Sequence, residues 1–337
     1  MRNYLMEFLP SFICSAPKEK ELLNKQSILI DDKGIETVVG DLAQTLNPHS
    51  PRIFGGTLES DHYQTLLKAG LARALGEGTH VISLAMSVPF QFMDQFRDQV
   101  GDNTLARNKL ALLKETVANI RFKDKSTDSN WKNCEIIIQE EPTIAYEFLA
   151  SMLNIPLDAK TFLYWHIGHG DWQQASRVDG KNLPDSYARV EGLAGAIQVF
   201  SDQQNLSSSE AINSWQLGNM PEKSGMNGKR IDCLKEKETA ARQFIRSVIG
   251  ELLNKNARYK DRAKNIVVSG GAAKDHVFMS VLKEIAKGNG YNIILMTELV
   301  EDLDPTFSVV AGLSKLKSSY KHVSIDIGNS SVKVSIV

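Results

Sequence analysis

Three short segments of the sequence each end an apolar strand in small residues, a pattern typical of backbone anion sites. Glycine permits close approach to the main chain, and successive amide groups at such a turn form a concave site for phosphate. Any one of them alone is explained more simply by a tight hairpin or a strand-to-helix turn. The segments are Asp326-Ile327-Gly328-Asn329-Ser330-Ser331, Gly168-His169-Gly170-Asp171 and Ser269-Gly270-Gly271-Ala272. Together they predict a nucleotide clamped between two domains.

Two charged residues near the first segment have open interpretations. Asp326 lies inside an apolar strand, where an unpaired carboxylate is costly, so a cation with its waters is one possible partner. A carboxylate that caps the turn is an equal alternative. Lys333 alternates with Val332 and Val334 and is either a solvated strand residue or a cation that faces phosphate. The pattern alone favours the solvated position.

A third charged residue, Glu141, stands where a predicted strand ends and a predicted helix begins, between Glu140 and Pro142. Pro142 in the first helical turn would fix the geometry, so that Glu141 could act as a base or orient a water. An acid that stabilises the helix N-terminus through the dipole is an equal alternative.

The elements that must position these residues are strands alternating with helices, which predicts an α/β protein. Apolar periodicity and turn residues predict strands over 4–9, 27–31, 35–39, 80–88, 117–122, 134–138, 162–167, 173–178, 265–268 and 291–296, and two more within 322–337. Helices are predicted over 61–75, 90–100, 143–153, 190–201, 208–217, 235–254, 275–287 and 305–317. Segment 124–130 is predicted as a polar loop and 218–231 as a mobile, Gly-rich one.

Length and charge limit the class of protein. The chain has 337 residues, enough for about two domains, and 39 basic against 40 acidic residues give a net charge of −1. Direct nucleic-acid or membrane binding through charge is therefore not expected. A hydrophobic content of 42% and a charged content of 23% are typical of folded soluble proteins. The apolar N-terminal segment fits a buried strand better than a signal peptide, because Glu7 and Pro10 interrupt it.

Other common chemistries lack their residues. Cys14, Cys134 and Cys233 form no C-x-x-C pair, so neither a disulfide framework nor a zinc site is expected and a reducing, cytoplasmic location is the simplest. His166 and His169 have no third metal ligand nearby. The sequence contains no P-loop, Rossmann, zinc-protease or nucleophile-elbow motif.

The same segments resemble the motifs of the actin-like ATPases. Asp326–Lys333 resembles their first phosphate loop, Gln139–Ala145 their connecting segment and Val267–Ala272 their adenosine motif, with support from Val39–Ala43 and Ser83–Pro89. The length and general sequence pattern of this chain are most similar to those of the plasmid-segregating actins of the ParM type. The resemblance implies an actin-like α/β fold, with two RNase H-like domains flanking a nucleotide cleft.

The order of the motifs differs from that of an ordinary member, because the first phosphate loop closes the chain instead of opening it. A circular permutation explains this order. Ser324–Val337 would supply the first two strands, Met1–Leu9 the third, and Lys315–Lys321 the new linker. Residues 1–157 plus 305–337 would then form the first domain and residues 158–304 the second.

The resemblance also implies roles for individual residues. Asp326 would hold Mg²⁺ through water, and Lys333 would neutralise the terminal phosphates of ATP or GTP. Glu141 would position the attacking water. The remaining nucleotide-binding residues would be Gly328, Asn329, Ser330 and Ser331 in the first loop, Gly168, His169, Gly170 and Asp171 in the second, and Gly270, Gly271 and Ala272 around the adenosine.

One departure from the family pattern concerns the second phosphate loop, whose usual acidic positions hold His166, His169 and Gln173 here. Three outcomes are open: Asp171 replaces the missing acid, hydrolysis is slow, or the nucleotide chiefly controls assembly.

The leading hypothesis for function is therefore a nucleotide-dependent filament-forming ATPase that segregates or positions DNA through a separate adaptor. The alternatives are a non-polymerising ATP-binding scaffold of the cell-division or pilus-assembly type and a small-molecule kinase of the same superfamily. A scaffold would need a terminal anchor or partner helix, and a kinase a substrate-facing acid other than Glu141. Neither feature stands out in the sequence.

Overall fold

Strands and helices alternate along the chain, as predicted for an α/β protein. The computed structural model describes residues 5–11, 13–15, 28–32, 35–46, 61–76, 78–88, 122–124, 127–152, 161–179, 181–222, 229–300, 303–328 and 331–337. The strands within these residues, β1 to β17, are Leu5–Pro10, Ile13–Ser15, Ile28–Asp32, Ile35–Val39, Gly78–Val88, Phe122–Asp124, Thr127–Glu140, Phe162–Ile167, Asp171–Val178, Lys181–Asn182, Ala188–Glu191, Asn219–Pro221, Arg230–Asp232, Asn265–Ser269, Asn292–Leu295, Lys321–Ile327 and Ser331–Ile336. The α-helices, α1 to α9, are Asp41–Leu46, Asp61–Leu75, Glu141–Met152, Leu193–Gln204, Ser208–Leu217, Leu234–Lys255, His276–Gly288, Met296–Leu299 and Ser308–Leu313.

The chain divides into two units, each with its own core. Unit 1 combines Met1–Phe148 with Val309–Val337, and unit 2 is Leu149–Ser308. Unit 1 is thus built from both parts of the chain that flank unit 2. The domain limits expected from the family resemblance, at residues 157/158 and 304/305, stay a prediction.

Unit 1 is organised around a six-stranded sheet with the order β1-β17-β16-β5-β7-β6. Strands β16, β5 and β7 are parallel, whereas β1 pairs with β17 in antiparallel register, Leu5 opposite Ile336. Helix α2 covers one face, because Gly70 lets it approach Val332 and Val334 of β17 closely. A separate three-stranded sheet, β2-β4-β3, contains the predicted hairpin of Ile28–Asp32 and Ile35–Val39.

Unit 2 contains a sheet with the order β10-β9-β8-β14-β15, and β11 also pairs with β9. Strands β8, β14 and β15 are parallel, and β8 and β9 form an antiparallel hairpin. Aromatic residues fill the core: Trp165 and Trp172 meet edge to face with ring centroids 4.8 Å apart, and Phe278 of α7 packs against Trp172. Helices α4, α6 and α7 contribute further apolar side chains to this core.

Several predicted boundaries are wrong where strand pairing overrides local pattern. The polar loop over 124–130 is largely strand, since β7 begins at Thr127 and continues beside β5. The helix predicted over 190–201 begins only at Leu193, because Val190 pairs with Trp172 in the sheet. The ends of the loop predicted over 218–231 pair as β12 and β13.

One further predicted helix ends early, and two predicted elements cannot be compared with the structure. The helix predicted over 305–317 ends at Leu313, where the backbone tightens into shorter-range hydrogen bonds such as Leu316 N to Leu313 O. The helix predicted over 90–100 and most of the strand predicted over 117–122 lie outside the described residues.

Candidate functional site

The carboxyl ends of three neighbouring parallel strands collect polar residues in unit 1. Asp326 is the second-last residue of β16, Ser87 is the second-last residue of β5, and Glu141 directly follows β7. Because parallel strands end at one edge of a sheet, these residues come together there. The register supports this arrangement, with Ser87 opposite Gln139 and Val88 opposite Glu140.

Asp326 is buried and has two side-chain donors. Ser87 Oγ donates to its Oδ1 at 2.6 Å, and Lys333 Nζ donates to its Oδ2 at 2.7 Å. Asp326 is only 2% exposed and Lys333 only 8%. The carboxylate thus has a charged, hydrogen-bonded partner in the low-dielectric interior, as a buried charge requires.

The solvated position favoured for Lys333 is wrong. Strand β17 pairs along its two edges with β1 and β16, and its residues from Ser331 to Ser335 are all buried, so neither of its faces is exposed to water. Val332 and Val334 face α2 at Gly70, which puts Lys333 on the opposite face, directly across from Asp326 in the antiparallel register. Alternation along the strand was read correctly, but the second face is not exposed to water.

Glu141 and Tyr63 belong to the same neighbourhood. Glu141 is the first residue of α3 and is buried, with 7% of its surface exposed. Burial raises the pKa of the Tyr63 hydroxyl well above its ordinary value, and the negative charges of Asp326 and Glu141 raise this pKa further. The first turn of α2, which carries Tyr63, therefore lies beside both acids.

The turn that joins β16 to β17 begins at Gly328, which is hydrogen-bonded through both its N–H and its carbonyl. Its N–H donates to Ser331 O at 2.9 Å, and its carbonyl accepts a hydrogen bond from Ser11 Oγ at 2.9 Å. A Cβ on Gly328 would lie 3.4 Å from Lys333 Nζ, so the ammonium group lies next to the turn. The predicted site residues Asn329 and Ser330 lie outside the described residues.

In unit 2, the 168–171 turn joins β8 and β9 and packs against the N-terminus of α4. Gly168 N donates to Asp171 O at 2.8 Å and closes the turn. The carbonyls of Gly168, His169 and Gly170 in turn accept hydrogen bonds from the first amides of α4 and the residue before it. This backbone capping satisfies helix donors that would otherwise lack partners.

The carboxylate of Asp171 is engaged within unit 2. Its Oδ2 accepts hydrogen bonds from Arg189 Nε at 3.0 Å and from Gln173 Nε2 at 2.9 Å. Gln173 occupies one of the usually acidic positions of this loop. Its side chain donates a hydrogen bond to Asp171, the residue considered above as a substitute for the missing acid. The arrangement counts against Asp171 as a direct metal ligand.

His166, which occupies another of the three usually acidic positions, belongs to a buried hydroxyl cluster centred on Ser269. The Ser269 Oγ atom lies 3.1 Å from His166 Nδ1, accepts from Ser308 Oγ at 3.1 Å and is hydrogen-bonded to Tyr164 Oη. Burial raises the pKa of Tyr164 to about 12, although its bonds with Ser269 and Ser308 act in the opposite direction. His166 therefore has a structural partner in the neighbouring strand.

The three residues of the predicted adenosine motif differ in their surroundings. Gly270 has a φ of +93° and packs onto β8, where a Cβ would lie 2.5 Å from Ile167 O. A Cβ on Gly271 would meet nothing within 4 Å, so this backbone faces open space. The side chain of Ala272 packs in the core of unit 2, and its assignment to the adenosine site stays a prediction.

The expectation that the amides of these turns are available to an anion is wrong for the leading glycine of each. Gly168, Gly270 and Gly328 donate to Asp171 O, Pro305 O and Ser331 O respectively. These bonds shape the turns, so any phosphate contacts must come from later residues. The glycines predicted the turns from sequence, but which carbonyl each amide donates to is known only from the structure.

Comparison of the sequence with family models and with curated proteins finds no match. Solved structures do match. An archaeal actin homologue superposes with a TM-score of 0.67 at 14% identity, over 90% of both chains. A ParM in a 15-stranded filament from Clostridium botulinum gives a TM-score of 0.62 at 16% identity, again over 90% of both chains. The archaeal homologue in complex with ADP gives 0.59 at 12% identity, over 86% of both chains.

This chain has an actin-like fold. The resemblance found in the motifs is therefore confirmed for the fold.

Each unit has a feature that, taken by itself, fits part of a nucleotide. In unit 1 the buried cation of Lys333 beside Gly328 suits a phosphate, and in unit 2 the open backbone at Gly271 suits a base or sugar. Mg²⁺ commonly uses only one or two protein carboxylates, with water and phosphate as its other ligands, so Asp326 alone fits a water-mediated contact. Among the described residues, no three His, Cys, Asp or Glu side chains are grouped to hold a metal, and no helix is long and apolar enough to cross a membrane.

Sequence reasoning missed three residues at the actin-like site. Ser87 belongs to a motif that had been noticed, but its bond to Asp326 requires the pairing of β16 with β5. Tyr63 lies within the helix predicted over 61–75, and nothing in the sequence marks it as a site residue. Ser11 follows the first strand and gives no local signal, since its partner Gly328 is 317 residues away.

Proposed function

We propose that this chain binds and hydrolyses a nucleoside triphosphate and assembles into filaments under the control of the bound nucleotide. The observation that carries the proposal is the buried group of Asp326, Lys333, Ser87 and Glu141 at one sheet edge of unit 1. Phosphoryl transfer requires charge stabilisation and a positioned water, which a buried cation and a rigid acid supply. The ADP-bound archaeal homologue and the ParM filament support the same proposal.

Each residue of this group has a proposed task. Lys333 neutralises the terminal phosphates, and the backbone from Gly328 to Ser331 contacts them. Asp326 holds Mg²⁺ through water, and the bound ion would offset phosphate charge. Glu141, fixed at the start of α3, orients the water that attacks the γ-phosphate.

Unit 2 supplies the other proposed contacts. The backbone at Gly271 accepts the adenosine, and the 168–171 turn contacts phosphate through residues other than Gly168, whose amide is already bonded. The usual acidic positions around this turn hold His166, His169 and Gln173, so we propose no second carboxylate contact with Mg²⁺ from unit 2. We therefore propose slow hydrolysis rather than rapid turnover.

The biological role we propose is segregation or positioning of plasmid or other DNA in the cytoplasm through an adaptor protein. A net charge of −1 supports an adaptor, because tight binding to DNA needs many cationic contacts with phosphate. We also propose that the chain is circularly permuted relative to ordinary actin-like proteins, because the strand pair β16–β17 that carries the first phosphate loop comes last in the sequence.

The proposal is tested by light scattering and electron microscopy with ATP, ADP or no nucleotide, each with Mg²⁺ or with a chelator. Filaments that form with ATP and Mg²⁺, and disassemble as phosphate is released, are the expected result. Absence of filaments in every condition, despite nucleotide binding, would contradict the filament role and favour a non-polymerising scaffold.

The role of Glu141 is tested by the substitution Glu141→Ala. We expect phosphate release to fall by about 100-fold or more, as for loss of a general base, while filaments still form with ATP. Glu147→Ala is the matched control, since Glu147 lies on the same helix and is half-buried. Unchanged phosphate release in Glu141→Ala would remove Glu141 from the mechanism.

A further inference from the structure

A hydrogen bond between two residues that are 317 positions apart in the sequence holds the carbonyl of Gly328, directly after β16. Ser11 follows β1, is only 3% exposed, and donates from Oγ to Gly328 O at 2.9 Å. Gly328 N donates to Ser331 O on the other side. Because a peptide group is planar, a bond to the carbonyl fixes the orientation of the peptide that enters the turn.

Ser11 is itself held by His62, in the first turn of α2. The His62 ring is hydrogen-bonded to the backbone of Ser11, and its Nε2 is buried without a hydrogen-bond partner in the described part of the chain. Burial lowers the pKa of His62, and the bond to Ser11 opposes this shift. The next residue, Tyr63, lies beside Asp326 and Glu141.

We propose that Ser11 is a positioning residue for phosphate binding: it holds the peptide group of Gly328 in the orientation that binds phosphate, and His62 holds Ser11. This inference rests on the proposed nucleotide function. Ser11 has no role in the adenosine contacts, which belong to unit 2, so its effect is confined to the phosphates of the ligand.

The first measurement needs no nucleotide. Ser11→Ala removes the donor and leaves the backbone, and we expect amide hydrogen exchange of the peptide covering 325–333 to become about 5-fold faster, as for loss of one ordinary hydrogen bond. Ser201→Ala is the matched control: Ser201 is 5% exposed and donates to the backbone carbonyl of Leu206 at 2.8 Å in unit 2. It should leave exchange of 325–333 unchanged. Equal exchange in wild type and Ser11→Ala would overturn the proposal.

The second measurement compares ligands that differ in phosphate number, by calorimetric titration with ATP, ADP and adenosine. In Ser11→Ala we expect the Kd for ATP and ADP to rise about 5- to 10-fold and that for adenosine to stay within about 2-fold. An equal loss for all three ligands would overturn the positioning role, because a merely structural defect would not depend on phosphate.

The role of His62 is tested by a double-mutant cycle. His62→Ala should raise the Kd for ATP in the wild-type background and have little further effect in the Ser11→Ala background, since it acts through Ser11. Additive effects of the two substitutions on the Kd for ATP would overturn the proposal that His62 acts through Ser11. If wild type binds neither ATP nor ADP, the proposed function fails together with the phosphate part of this inference, and the exchange measurement alone decides whether Ser11 orders the turn.

Discussion

At the scale of single residues, the pair of Asp326 and Lys333 decides how the site is charged. Removing two opposite charges from water costs free energy that their attraction recovers only with good geometry and further hydrogen bonds. Ser87 supplies such a bond to Asp326. The charges of Asp326 and Lys333 are thus balanced within the protein itself.

Lys333→Met tests this balance. It leaves Asp326 buried without its cation, and we expect the free energy of unfolding to fall by about 3–5 kcal/mol in denaturant titrations. The double variant Asp326→Asn with Lys333→Met should recover most of that loss yet bind ATP poorly. Lys321→Met is the control, because Lys321 is exposed on the same sheet, and its effect should stay within about 0.5 kcal/mol. An unchanged free energy of unfolding in Lys333→Met would contradict the pairing of Lys333 with Asp326.

The sequence predicted the position of Glu141 in the fold better than it predicted the position of Lys333. Glu141 was recognisable because Pro142 and a helix signal follow a strand, and the structure gives it the start of α3. Lys333 was misplaced because one strand's alternation does not reveal whether its second face is covered. Ser11 was not recognised at all, because its function depends on a partner that only the folded chain brings near.

At the scale of elements, the 168–171 turn and helix α4 form one unit of structure. Gly192 makes this possible, since a Cβ there would lie 2.5 Å from Gly168 O and 2.7 Å from Asp171 N. The carbonyls of the 168–171 turn cap the N-terminus of α4, and these same hydrogen bonds hold the turn in place. Strand and helix types were predictable here from apolar pattern, whereas the start of α4 depended on the pairing of β11 with β9.

Gly192→Ala is expected to break this arrangement. The added methyl group meets backbone atoms that cannot rotate away, and overpacking of this kind costs about 1–3 kcal/mol. Gly250→Ala is the matched control in the same unit: its Cβ would meet nothing within 4 Å, and alanine in a helix should stabilise by about 0.5–1 kcal/mol. Denaturation followed by tryptophan fluorescence measures both. Equal stabilities of the two variants would contradict the close approach at Gly192.

At the scale of the whole molecule, residues from both sides of unit 2 complete one sheet. Strand β1 lies beside β17, and Leu5 is opposite Ile336. Only five residues, 337 and 1–4, separate these two paired positions if the two ends of the sequence are joined. That is within the usual length of a hairpin loop.

A rearranged chain tests the proposed permutation. A variant that begins at Ser318, continues through Val337 directly into Met1 and ends at Lys317 restores the motif order of ordinary actin-like proteins. We expect it to fold with a stability within about 1 kcal/mol of the original and to respond to ATP in the same way, because the new ends lie in an exposed segment. Circular dichroism, denaturation and light scattering measure this. A chain that fails to fold would show that the present order is required.

The bond between Ser11 and Gly328 also has a consequence for how the protein is made. Its partners are 317 residues apart, and ribosomes add about 5–20 residues per second, so the first strand waits roughly 15–60 s for its neighbour. Unit 2 is synthesised in full during that time, before β16 and β17 exist. Until β17 has been synthesised, the nascent chain therefore carries an unpaired strand edge, which is a template for aggregation.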